Sequence, residues 1–266
     1  MESATLSAVV IQIFAFLFGT AVGSFLNVCI YRLPRKESVV FPSSHCPRCD
    51  TVIAWYDNIP VFSYLWLLGK CRNCGGKISL QYPIVELING LLTLFLFRRF
   101  GISIAFLTLF VFCSALVTIT FIDLEHQIIP DVISLPGIVI GFVASFFIPG
   151  HSWQNSLIGI LAGGGSLLIV AYGYQFLTGK EGMGGGDIKL LAMMGAFLGW
   201  RSVPFIIFSA SLVGSVIGIA LMLAKGKDSK LAIPFGPFLA FGAILYIFYG
   251  NRIISWYLGL GGRPGG

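Results

Sequence analysis

Lys180-Glu181-Gly182-Met183-Gly184-Gly185-Gly186-Asp187-Ile188-Lys189 is a glycine-rich polar island in a chain whose mean hydropathy is +0.90. It ends in a carboxylate that opens the apolar run 188–200. A second aspartate, Asp123, stands at the far edge of another apolar run, 106–122. An aspartate in hydrocarbon costs about 2.5–3.5 kcal/mol on insertion scales, so acids at the mouths of such runs need a reason.

The chain around these acids is membrane-like. Of its 266 residues 56% are apolar and 11% charged, against about 25% charged in soluble domains. A formal charge of +6 rests on 17 Lys and Arg, with no basic run longer than two, so topology explains the excess and a nucleic-acid partner is not expected. The first basic residue is Arg32, so the opening segment lacks the positive region of a secretory signal peptide and reads as a retained anchor.

Apolar runs fall near 5–31, 84–97, 103–122, 132–148, 155–177, 188–200, 203–224 and 235–258. About 20 helical residues cross a ~30 Å core. The expected fold is an all-α polytopic membrane protein of about eight transmembrane helices, the short run 188–200 being completed by the glycine segment or enclosed in the bundle. The expected domains are a first transmembrane helix (1–31), a cytoplasmic tetracysteine zinc loop (32–83) and a transmembrane helical domain (84–260).

Counting Lys and Arg in alternate loops sets the orientation. With the N-terminus outside, 32–83, 123–131, 178–189 and 225–234 lie in the cytoplasm and hold twelve, against five on the opposite side: Arg98, Arg99, Arg201, Arg252 and Arg263. Asp123 and Asp187 then share the cytoplasmic face.

The insertion 32–83 carries Cys46-Pro-Arg-Cys49 and Cys71-Arg-Asn-Cys74, two C-x2-C knuckles 21 residues apart. Converging on one ion, they offer four thiolates in tetrahedral array, the usual structural zinc arrangement. Pro47 and Gly75-Gly76 supply turns. The alternatives are chance spacing or disulfides, and disulfides need an oxidising compartment. A closed four-thiolate site has no open position, so its role is folding. Cys29 and Cys113 lie in apolar runs and read as buried thiols.

The bland reading of the two aspartates is that they cap helices at the interface. Asp131, opening the run 132–148, fits that role. Asp123 does not, because the helix dipole disfavours negative charge at a C-terminus. Two carboxylates brought within reach split their titration and share a proton near neutral pH. Asp187 is expected to hold the charge and Asp123 the proton. The ionised acid can then take a proton from an attacking water, while the protonated one hydrogen-bonds a scissile carbonyl and later supplies the leaving amine. Gly184, Gly185 and Gly186 leave room for an extended peptide beside Asp187. They do not form a phosphate loop, because no strand precedes them and the G-x-x-x-x-G-K-[ST] pattern is absent. Lys189 is either a charge partner or an anchor that reaches the interface.

These residues resemble a known family. Gly184-Gly185-Gly186-Asp187 is similar to the G-x-G-D signature of membrane aspartyl proteases, and the surroundings narrow this to type IV prepilin peptidases, the leader peptidase/N-methyltransferases. Gly23-Ser-Phe-Leu-Asn27-Val-Cys-Ile-Tyr-Arg32-Leu-Pro34, the cysteine tetrad, Gln81 to Glu86, Ile122-Asp123 through Asp131, and Pro234-Phe-Gly-Pro237 resemble the family's other motifs in order. The resemblance runs from residue 23 to about 242. It implies a multi-pass enzyme of the bacterial inner membrane that removes the basic leader of type IV prepilins or type II secretion pseudopilins. Asp123 and Asp187 carry over as its catalytic pair. It also implies N-methylation of the new amino terminus with S-adenosylmethionine, structural zinc, and contact with membrane lipid.

Glu86, Gly184, Gly186 and Lys189 are candidates for substrate or cofactor binding. Glu86 and Asn27 either orient substrate or methyl donor, or bond between helices. His126 either tunes the aspartate pair or is a solvated or capping residue. His45 is a possible spare metal ligand, and His151 has no evident partner. Trp55, Tyr56 and Trp66 suit an interfacial aromatic belt. Gly163-Gly-Gly165 and the Gly195/Gly199 pair suit close helix packing. The rival readings are a transporter with a carboxylate proton relay and a secretion-assembly scaffold. A relay would string its acids through the bilayer instead of collecting them at one face.

Overall fold

Each of the eight apolar runs folds as helix, because hydrocarbon-compatible sequence must satisfy its backbone internally. The computed structural model describes residues 2–148, 150–179, 184–225 and 233–260. Lys180 to Met183 of the polar island, Pro149, the tail from Gly261, and Lys227, Lys230 and Arg263 of the charge count lie outside the described residues. The helices are α1 (Glu2–Arg32), α2 (Phe62–Trp66), α3 (Gln81–Phe100), α4 (Ile104–His126), α5 (Asp131–Ala144), α6 (Trp153–Thr178), α7 (Gly185–Leu198), α8 (Ser202–Lys225), α9 (Gly236–Leu245) and α10 (Asn251–Leu260). A π-helical segment, Tyr246–Gly250, joins α9 to α10, so the last run is one interrupted helix. Among the described residues, β pairing is confined to two isolated bridges in the insertion.

Among the described residues, five segments are long and apolar enough to cross a membrane: Val9–Arg32, Ile104–His126, Trp153–Thr178, Ser202–Ala224 and Gly236–Tyr257. The expected eight crossings are thus not all matched by length and composition. The helices α5 and α7 have 14 residues each, so at ~1.5 Å per residue they fall short of a ~30 Å core.

The chain forms two units, 1–122 and 123–266. In the first, α1 and α3 run antiparallel in close contact. A Cβ on Gly19 would meet Thr93 and Gly90, and one on Gly23 would meet Glu86 and Asn89. Polar side chains reinforce the seam. Asn89 Nδ2 donates to the Gly19 carbonyl at 2.8 Å, Ser114 Oγ donates to Asn89 Oδ1 at 3.0 Å, and Asn27 Nδ2 donates to the Tyr82 carbonyl at 3.1 Å. Around them Leu26, Ile30, Val85, Val117 and Ile122 form the apolar core.

In the second unit α7 is central, and every residue from Leu190 to Phe197 is buried. The helices α5, α6, α8 and α9 pack against it. Gly159 and Gly195 let the α6 and α7 backbones touch: a Cβ on Gly195 would sit 2.0 Å from the Gly159 carbonyl oxygen. Ser156 Oγ adds a hydrogen bond to the Ala196 carbonyl at 2.8 Å. The expected packing role therefore holds for Gly163 and Gly195. Gly199, which ends α7 with φ +78°, also packs on α6, its carbonyl carbon 3.0 Å from where a Gly159 Cβ would be, whereas Gly165 faces open space.

Candidate active site

Asp123 lies in the last turn of α4, is 5% exposed, and opens the second unit. Its position at a helix C-terminus is offset by another helix's N-terminus. The first N–H groups of a helix lack intrahelical partners, and Gly236 at the start of α9 donates its N–H to Asp123 Oδ2 at 3.0 Å. The close approach requires glycine, since a Cβ at 236 would fall 2.6 Å from that oxygen. Replacing Gly236 with Ala should lower turnover by roughly 10- to 100-fold with the fold retained, as expected for about 1 Å of misplacement. Steady-state kinetics beside a thermal melt would check this.

Asp187 stands in the first turn of α7, after Gly184 as N-cap, and its Oδ1 is buried without a hydrogen-bond partner. Ile129 packs between the Asp187-bearing turn and the Gly236 turn that holds Asp123. It lies 2.9 Å from where a Gly186 Cβ would be and 3.5 Å from a Gly236 Cβ. Asp187 precedes its apolar run, in a helix outside the five membrane-length segments. Burial, then the Asp123 charge, raises its carboxyl to about 6.

The Gly236 N–H favours the charged form at Asp123, and no such donor reaches Asp187 Oδ1. Gly184 and Gly185 leave open space as expected, but Gly186 is covered by Ile129.

Of the two readings of Lys189, charge partner and interface anchor, the structure shows the charge partner. Its Nζ reaches both Asp131 oxygens, at 2.7 and 2.8 Å, and ties α7 to α5. Asp131 is not the N-cap expected of it: Pro130 takes that position, and Asp131 is the first residue of α5. His126 is half-buried, with Nε2 unpartnered and 4.0 Å from Glu125. His151 Nε2 lies 3.5 Å from the Ala196 carbonyl, a partner not evident from sequence.

In the first unit Glu86 is 6% exposed and accepts the Val61 N–H at 2.7 Å. Val61 has φ +62°, an outlier for a β-branched residue, so Glu86 fixes a strained turn of the insertion. Asn27 takes the helix-bonding role through Tyr82 and Gly23.

The four cysteines Cys46, Cys49, Cys71 and Cys74 come together with all Sγ atoms within 4.8 Å of one another. Two matched turns arrange them: Asp50 N–H donates to the Cys46 carbonyl and Gly75 N–H to the Cys71 carbonyl, both at 2.9 Å. Tetrahedral zinc with Zn–S of about 2.3 Å separates sulfurs by about 3.8 Å, and Cys46 Sγ lies 3.9 Å from Cys74 Sγ. Hydrogen bonding from Thr51, then from Asn73, lowers the Cys49 thiol to about 6, which suits a thiolate ligand. All six cysteines are free, and His45 turns its Nδ1 to the Ser43 carbonyl and stays out of the cluster.

Residues 17–100 match the Bacterial Peptidase A24 N-terminal domain, and residues 110–219 match the Type IV leader peptidase family. A prepilin leader peptidase/N-methyltransferase of Aeromonas salmonicida is 36% identical over 272 residues, covering 91% of this chain and 92% of the relative. The chain belongs to the type IV leader peptidase family. Relatives of the same name include those of Pseudomonas aeruginosa, 37% identical over 92% of this chain and 93% of its own length, and Myxococcus xanthus, 42% identical over 81% and 64%. No solved structure matches. Both acids of this family member fall within the matched segments or next to their helices: Asp123 and Asp187 lie inside 110–219, and Gly236 lies beyond it. Sequence reasoning gave Gly236 no role. The signal was a Gly-Pro pair opening an apolar run, which marks a helix N-terminus with a free N–H.

Proposed function

We propose that this chain is a membrane-embedded aspartyl endopeptidase. It removes the basic leader from type IV prepilins or type II secretion pseudopilins at the cytoplasmic face of the bacterial inner membrane, and N-methylates the amino terminus so exposed. The observation that carries the peptidase reading is the pair itself. Asp123 is held by a backbone N–H, and Asp187, with one buried unpartnered oxygen, lies close enough to feel the Asp123 charge.

The asymmetry assigns the roles. Ionised Asp123 takes a proton from a water as the water oxygen attacks the scissile carbonyl. Protonated Asp187 donates to the carbonyl oxygen. In collapse of the tetrahedral adduct, the proton held by Asp123 passes to the leaving nitrogen and Asp187 recovers its own. The open backbone at Gly184 and Gly185 gives the extended substrate its approach. A prepilin with an apolar helix in the bilayer and a positive leader outside it presents the cleavage point at the membrane surface, where α4 ends and α7 begins.

The Lys and Arg asymmetry supports an outside N-terminus and a cytoplasmic site, with α3, α5 and α7 as further membrane-embedded segments completing the eight. In the insertion 32–83 the tetrad would hold zinc, which supplies a cross-link between the two knuckles and no chemistry. Exposed Trp55, Tyr56, Phe62 and Trp66 on the same insertion suit a membrane interface. Chelation or Cys71→Ser should lower the yield of folded protein several-fold while leaving the rate per folded molecule within about twofold. Specific activity and zinc content of the folded fraction check this.

The deciding experiment incubates the purified chain with a purified prepilin and reads both products by mass spectrometry. Leader removal at one bond supports the peptidase, and a methylated amino terminus appearing only with S-adenosylmethionine supports the second activity. An intact prepilin would defeat the reading.

A further inference from the structure

The connection 127–130 leaves the turn that carries Asp123 and delivers Asp131 to the turn that carries Asp187. Gln127, with φ +55°, donates its N–H to the Asp123 carbonyl at 2.9 Å and turns the chain out of α4. Two residues on, the Ile129 side chain covers Gly186, the residue before Asp187. Pro130 then caps α5, its carbonyl taking the Ile133 and Ser134 N–H groups at 3.1 Å and the Ser134 hydroxyl at 3.3 Å. Asp131 follows, and its carboxylate holds Lys189 through both oxygens. We propose that Lys189 and Asp131 are positioning residues for the peptidase: their ion pair locks the first turn of α7 and so sets Asp187 against Asp123. The inference rests on the peptidase reading above.

Three observations carry it. The turn that bears Asp187 is weak in itself. Its N-cap, Gly184, offers no side-chain bond, and Gly185 and Gly186 follow, where a helix costs the chain the most backbone freedom. Asp187 Oδ1 adds no hold of its own, being buried without a partner. Next, Lys189 stands two residues beyond Asp187, and side chains so spaced point to nearly opposite sides of a helix. The grip of Asp131 therefore falls on the side of α7 away from the acid, where it opposes rotation of the turn about the helix axis. Last, the anchor is stiff. Asp131 opens α5, which packs along α7, and the hydrogen bonds to the Pro130 carbonyl fix the backbone just before it.

The Lys189 and Asp131 side chains are 40% and 56% exposed. An ion pair so exposed contributes little to overall stability. Its effect belongs in the rate, because a shift of about 1 Å at a reacting group costs on the order of 10²-fold.

The test measures prepilin cleavage by the purified full chain, with kcat and KM read separately and a thermal melt beside them. Lys189→Gln and Asp131→Asn should each lower kcat by about 10- to 100-fold, with KM within about twofold of wild type. Lys189→Arg still reaches a carboxylate through two N–H groups and should keep kcat within about threefold. The losses should not add, so the Lys189→Gln/Asp131→Asn double variant should be no slower than the worse single one. Melting temperatures should stay within about 3 °C of wild type. A single variant cleaving at the wild-type rate, or a double variant whose loss is the product of the two, would overturn the pairing. So would a melting temperature that falls by about 10 °C together with kcat, since the pair would then be an ordinary fold contact. In each of these cases the wild type still cleaves and the peptidase reading stands. An unaltered protein that leaves prepilin intact would instead remove that reading.

Discussion

Asp187→Asn is expected to reduce leader cleavage by at least ~10³-fold while leaving the fold intact, and Asp123→Asn should do the same. Asn is nearly isosteric with Asp but can neither give up nor accept the proton that the mechanism moves. Asp187→Asn should also raise the melting temperature at neutral pH. The folded state holds this carboxyl at about 6, against about 3.9 in an unfolded chain. The folded protein therefore binds the proton more tightly, and ionisation opposes folding as pH rises through that interval, fully so above it. Removing the acid removes the penalty. The same proton sets the activity profile. With Asp187 as the proton donor, kcat/KM should fall on the alkaline side, with the limb at or above about 6 because lipid and bound peptide exclude further water. A cleavage assay across pH with both variants checks all of this. An Asp187→Asn protein that cleaves at the wild-type rate would sink the assignment.

Gly195→Val is expected to leave little folded protein. The obstruction is backbone, because the Gly159 carbonyl oxygen lies 2.0 Å from a Cβ at 195, and a Gly159 Cβ would meet the Gly195 oxygen at 2.2 Å. No side chain can turn aside, so α6 and α7 must separate. That also breaks the Ser156 hydrogen bond to the Ala196 carbonyl. Overpacking typically costs about 1–3 kcal/mol, and more when the backbone must move. Gly165→Ala in α6 is the control. Nothing lies within 4 Å of its Cβ, so it should be neutral or stabilising by up to about 1 kcal/mol. Yield and thermal melting of the two variants in detergent separate the cases.

Much of this architecture was legible in the sequence because membrane helices declare themselves by uninterrupted apolar length. All eight runs became helices, and the two knuckles closed as their spacing required. What the sequence could not show was depth. The run 188–200 is as apolar as its neighbours, yet α7 is a short enclosed helix, and only packing against α5, α6, α8 and α9 reveals it. At the site, residue types pointed to Asp123 and Asp187, but the N–H that favours charge on Asp123 comes from Gly236, over a hundred residues away. Lys189 could be read as a charge partner, but its partner Asp131, 58 residues distant in sequence, could not be named.

The enclosed position of α7 bears on how the protein is made. A 14-residue helix is too short to span lipid unaided, so α7 can sit in the membrane only within the sheath of its neighbours. It emerges after α5 and α6 but ahead of α8 and α9, so half of its sheath is missing when it leaves the ribosome. The nascent chain must hold it at the membrane border until the last two arrive. Asp187, on the first turn of α7, takes its final place only once synthesis has passed Leu245, so an incompletely made chain would carry no assembled protease.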